Sequence, residues 1–96
     1  MSARFEVRRA IALPERELLA LVGAVREGTA SAGMTARLEG EERTFEHPVH
    51  AVEFLGEEAG APGPPSPCLT FHARDAARLA EWLQREWEGR VLELTW

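Results

Sequence analysis

Residues 14–28 read PERELLALVGAVREG, and the architecture turns on what this stretch forms. Pro14 suits the first position of a helix, where its missing N–H leaves nothing unpaired, and Glu15 and Glu17 favour the positive end of the helix dipole. Leu18, Leu21, Val22 and Val25 recur at three- to four-residue spacing, with Leu19 at the flank, which predicts an apolar stripe on one helix face. Gly28 supplies a stop. The segment is expected to be the first of two helices.

Upstream, Arg4 to Leu13 alternates: Phe5, Val7, Ile11 and Leu13 on one side, Arg4, Glu6, Arg8, Ala10 and Ala12 on the other. Period two predicts a half-buried strand, and Arg9 breaks the apolar side, so a bulge at Arg8–Arg9 or a sheet margin is expected. Downstream, Met34 to Glu39 and Arg43 to His47 flank Gly40-Glu41-Glu42 and read as a hairpin. Pro48 ends it, because proline cannot donate to a ladder. Val49 to Leu55 is a further strand, and the sequence leaves open whether Pro48 separates two strands or marks a bulge in one.

Glu57 to Pro67 holds four prolines and two glycines in eleven residues, a composition expected to form a flexible loop. Cys68 to His72 alternates again, Leu69 and Phe71 facing one way and Cys68, Thr70 and His72 the other. Asp75 is placed to cap a second helix, accepting from the free amides of its first turn. Its buried stripe is expected to be Ala76, Leu79, Ala80, Leu83 and Trp87, with Trp82 at the border and Gly89 as terminator. Arg90 to Trp96 closes the chain as a strand with Leu92, Leu94 and Trp96 facing inward.

This order, β-α-β-β-(β)-β-α-β, predicts one α+β domain over residues 1–96. It would be a two-layer sandwich, two helices on one face of a mostly antiparallel four- to six-stranded sheet. The plan resembles the ferredoxin-like architecture, a fold that hosts unrelated functions and carries no mechanism with it.

Two helices on one face would leave the other bare. Arg8, Arg37, Thr70, His72 and Glu93 fall on that face and are the candidate ligand or partner surface. Self-association through this face or an edge strand is the leading expectation, giving a homodimer, with a protein partner as the other occupant. The alternative is a small-ligand enzyme or sensor with a site around His72, Thr70 and Arg8/Arg37. An acidic inhibitor mimicking nucleic acid is a third possibility.

Other chemistries find little support. The chain has no Cys-x-x-Cys and no His-Glu-x-x-His, and Cys68 and His72 are four residues apart, about 13 Å along a strand, so no metal site is expected. His47 and His50 should point to opposite faces unless Pro48 distorts the strand. Cys68 has no basic sequence neighbour to activate it, Asp75 is committed to a cap, and no catalytic set or cofactor motif assembles. The net charge is −5, there is no polybasic segment, and Phe5, Phe71 and Trp96 are assigned to the core, so neither nucleic acid nor a membrane surface is an expected partner.

Composition sets the remaining bounds. Ninety-six residues allow one core, and a single cysteine cannot form an internal disulfide. No apolar run approaches the length of a transmembrane helix, and the start lacks a signal-peptide core, so the expected address is the cytoplasm. All eleven basic residues are arginine, lysine and asparagine are absent, and fifteen glutamates are present. Few amides and many Glu/Arg charges suit a heat-adapted source.

Overall fold

The computed structural model describes residues 2–38, 44–55 and 66–96. Their order is β1 (Ser2–Leu13), a short 3-10 turn (Pro14–Arg16), β2 (Leu18–Glu27), β3 (Thr35–Leu38), β4 (Phe45–Pro48), β5 (Ala51–Leu55), β6 (Ser66–His72), α1 (Ala76–Leu83) and β7 (Val91–Thr95). The seven strands form one sheet in the order β4-β3-β7-β1-β2-β6-β5, and every neighbouring pair is antiparallel. Strands account for 58% of the described chain and helix for a single segment. The ferredoxin-like α+β sandwich with two helices is therefore incorrect; the molecule is a curled, seven-stranded half-barrel.

The correction originates in residues 14–28. Pro14 opens a 3-10 turn that ends at Glu17, which adopts φ 53°, and the chain returns as β2 in register with β1, Leu13 opposite Leu18. β2 is a central strand, paired with β1 on one side and β6 on the other. Leu19 and Leu21 join the main core, while Ala20 and Val22 join a second buried cluster with Cys68, against which Ile11 and Leu13 pack. A strand covered on both faces loses its alternation and reads as a continuous apolar run, so the helical spacing of its leucines and valines is incidental. This strand pairing requires glycine at position 23: a Cβ there would stand 1.8 Å from the Glu6 carbonyl oxygen.

That second cluster also corrects the expectation of a bare polar face. Its cause is the bulge at Arg8, where the β1–β2 register shifts between Val7 and Arg9. Phe5 and Val7 face the main core, as do Ala10 and Ala12 beyond the bulge, whereas Ile11 and Leu13 turn to the outside.

The sheet must roll. Laid flat, seven strands about 4.8 Å apart would put the edges β4 and β5 about 29 Å from each other. Pro48, the last residue of β4, and Ala51, the first of β5, have only Val49 and His50 between them, a span of at most about 11 Å. Pro48 thus separates two strands, and they lie at opposite edges. The crossing is fixed by backbone bonds: Val49 N–H donates to Met34 O (2.7 Å), Gly33 N–H to Val49 O (2.9 Å) and His50 N–H to Thr70 O (2.8 Å).

The core lies inside the curl. Phe45 is at its centre, edge-on to Phe71, Trp82 and Trp87 with ring centroids 5.1–5.2 Å away. Helix α1 contributes Leu79 and Trp82, and its remaining apolar positions differ from the expected stripe, since Ala76 and Ala80 are exposed and Leu83 is 40% exposed. The helix stops at Leu83 because Trp87 folds back and its indole Nε1–H donates to the Trp82 carbonyl at 2.8 Å. Leu92 and Leu94 are buried as expected, but Trp96 lies beyond β7 and is 72% exposed. The expected loop at 57–67 lies outside the described residues except for Ser66 and Pro67, which open β6; the Gly40-Glu41-Glu42 turn lies outside them as well. No helix among the described residues is long and apolar enough to cross a membrane.

Candidate functional site

Where the β4–β5 crossing meets the β6–α1 turn, the surface opens into a cleft of about 700 Å³. Its polar lining is His47, His50, His72, Arg74 and Arg78, and the remainder is Gly33, Pro48 and Val49. All three histidines of the chain converge here, and among the described residues no carboxylate lines the cleft.

Each side chain has a local reason for its place. His47 shares the inward face of β4 with Phe45, and its ring centroid is 4.7 Å from both Phe45 and Trp82. The turn at Val49 brings His50 back toward the same cleft rather than to the opposite face. His72 ends β6, and its ring lies 6.1 Å from that of His50, inclined by 39°. Arg74 sits in the turn between β6 and α1 with φ 73°, a left-handed conformation that few non-glycine residues adopt and that is found preferentially at functional positions. The turn is secured by Ala73 N–H donating to Glu17 O at 2.8 Å. Asp75 caps α1 as expected, its Oδ1 accepting from Arg78 N–H at 2.7 Å. Among the described residues neither Arg74 nor Arg78 has an acidic partner within ion-pair distance.

The electrostatics follow from this crowding. Burial lowers the pKa of His47 below its ordinary value, and the charges of Arg78 and then Arg74 push it down further, against an upward pull from Glu46. His47 is thus an uncharged imidazole at neutral pH, held beside two guanidinium groups. The arrangement presents hydrogen-bond donors and positive charge to whatever enters. Such a site attracts anions and repels metal cations. Among the described residues no group of three or more His, Cys, Asp or Glu is placed to hold a metal ion.

The residues anticipated from sequence are divided by the fold. His72 lines the cleft. Thr70 is buried, its hydroxyl donating to Ala51 O at 3.3 Å. Arg37 and Glu93 belong to a row of alternating charge across five strands, Glu27–Arg4–Glu93–Arg37–Glu46, each member opposite the next in register. Arg4 lies 3.7 Å from Glu27 and Arg37 3.7 Å from Glu46. Arg8 is exposed at the bulge of β1, four residues and about 13 Å along the strand from Arg4. Arg8 and Arg37 do not converge on one anion. His47, His50, Arg74 and Arg78 complete the cleft. The available signals were two histidines flanking Pro48-Val49 and two arginines flanking the Asp75 cap.

The single thiol is inert. Cys68 is buried, and burial followed by the charge of Glu53 pushes its pKa up to about 11, the opposite of an activated nucleophile. Comparison with protein families, with curated proteins and with solved structures finds no match to this chain.

Proposed function

We propose that this chain is a binding module that recognises a small anionic group, a phosphate or carboxylate, in the His/Arg cleft. The observation that carries the reading is the composition of the lining: three histidines and two arginines with no carboxylate among the described residues, in a chain whose net charge is −5. Elsewhere the described arginines Arg4, Arg26, Arg37 and Arg90 have glutamates beside them. In the cleft Arg74 and Arg78 stand together with no acidic partner among the described residues, left for a ligand to neutralise. Guanidinium groups bind oxyanions in a bidentate fashion, and the imidazoles add further donors. A cytoplasmic address accompanies this reading, since a single cysteine has no need of an oxidising compartment.

Inorganic phosphate is the probe. Titration followed through the histidine ring resonances should shift His47, His50 and His72 together, and Arg78→Gln should abolish the response. Absence of any shift in excess phosphate over a chloride control refutes the proposal.

Self-association through an edge strand is a second reading, favoured by Phe54, which is 64% exposed on the edge strand β5. Sedimentation showing a monomer at high micromolar concentration removes it.

A further inference from the structure

We infer that the ligand is an organic phosphate with a flat ring, of the size of a mononucleotide, its phosphate in the His/Arg cleft and its ring stacked on Trp96. The inference rests on the anion-binding reading and adds to it the class of molecule that carries the anion.

Three observations lead there. The cleft, at about 700 Å³, falls among sites that enclose drug-sized organic molecules, roughly 300–1,000 Å³, and greatly exceeds what a lone phosphate fills. Its lining is two-sided: one part cationic, the other the uncharged Gly33, Pro48 and Val49. An indole stands at that uncharged side. The Cζ3 atom of Trp96 lies 3.6 Å from where a Cβ on Gly33 would be, so the ring lies beside the cleft's own rim. Gly33 has φ +92°, a conformation that favours glycine, and it holds the chain at the rim against the indole.

Trp96 is 72% exposed, an unusual state for the largest aromatic side chain. A ring stacked on it would cover this surface, and such stacking tolerates any base because every base has a π-face. A small phosphate ester is favoured over a nucleic acid strand because the chain carries a net charge of −5. A long polyanion would meet that field along its length, whereas a single phosphate meets only the local cationic wall.

Calorimetric titrations of inorganic phosphate, adenosine and adenosine 5′-monophosphate into the wild-type chain and Trp96→Ala test this. The nucleotide should bind the wild type about tenfold or more tighter than phosphate. Trp96→Ala should remove that advantage and leave phosphate affinity unchanged. Equal affinities for nucleotide and phosphate, or an advantage that survives Trp96→Ala, overturn the inference while the anion site stands. If neither phosphate nor nucleotide binds, both readings fall.

Discussion

Replacing Arg74 by asparagine separates binding from folding, because the two effects have opposite sign. Arg74 is held at φ 73°, which for most L-residues costs roughly 1–2 kcal/mol; asparagine tolerates this region through local backbone hydrogen bonds. Among the described residues the guanidinium gives up no ion pair, and its removal relieves repulsion on the Arg78 side of the cleft. Arg74→Asn should therefore stabilise the unliganded protein by about 0.5–1 kcal/mol, a rise in Tm of roughly 2–8 °C for a domain of this size.

In phosphate the order reverses. A charge-assisted hydrogen bond contributes roughly 1.5–3 kcal/mol, so the variant should bind about ten- to a hundredfold more weakly. At a phosphate concentration of about 100 times the wild-type Kd, ligand binding stabilises the wild type by about 2.7 kcal/mol, and a variant thirtyfold weaker by only about 0.9 kcal/mol. Scanning calorimetry over a phosphate series, matched in ionic strength with chloride, measures both quantities. Phosphate also stabilises proteins generally by exclusion from their surface, but that contribution is common to the two proteins and cancels in their difference. A variant that melts lower in chloride yet keeps the full phosphate increment would show that Arg74 serves folding alone, and would refute the reasoning.

Three further outcomes follow from the geometry. Gly23→Ala drives a Cβ to 1.8 Å from the Glu6 carbonyl oxygen and should cost at least about 3 kcal/mol in urea unfolding; a loss under about 1 kcal/mol contradicts the β1–β2 register. The folded pKa of His47 lies below 6.5, through burial and then Arg78 and Arg74, so as pH falls the unfolded chain takes up this proton first. The contribution of His47 is complete above about pH 6.5 and is lost as pH drops through that value toward the folded pKa. Between about pH 8 and 5 the wild type should lose more stability than His47→Phe, and equal losses would refute the assignment. Cys68, with its pKa near 11 and its thiol buried, should resist alkylation at about pH 8 in the native state and react only as fast as the chain opens; rapid native labelling would disprove its burial.

The legible parts of the sequence are those whose reason is local. The alternation of Phe5 and Val7, the bulge at Arg8–Arg9, the two faces of β6 and the Asp75 cap each depend on neighbours in the chain, and each is present. β2 imitates a helix because its pattern is set by elements on both sides: Leu19 and Leu21 answer to the core, Ala20 and Val22 to Ile11, Leu13 and Cys68. The end of α1 at Leu83 is hidden for a similar reason, since the Trp87 indole bonded to the Trp82 carbonyl is a tertiary event that an apolar stripe does not announce. Of the cleft, His72 alone was anticipated. The others meet only because the sheet rolls until β4 and β5 are two residues apart, and no pattern within a strand records that closure.

The contrast between the two sets of arginines bears most directly on function. On the outer face, Arg4 and Arg37 alternate with Glu27, Glu93 and Glu46 along one register row, an arrangement that neutralises charge strand by strand and contributes modestly to sheet pairing. A chain with fifteen glutamates has ample acid to treat Arg74 and Arg78 in the same way, and Asp75 stands between them in sequence. Its carboxylate is instead turned to the amide of Arg78, leaving both guanidiniums facing a half-buried neutral imidazole. Burial, and then the charges of Arg78 and Arg74, disfavour the protonated form of that ring. An anion entering the cleft offsets that repulsion and allows His47 to take up a proton. Anion affinity and proton affinity should therefore rise together as pH falls, a linkage that a purely structural cluster would not produce.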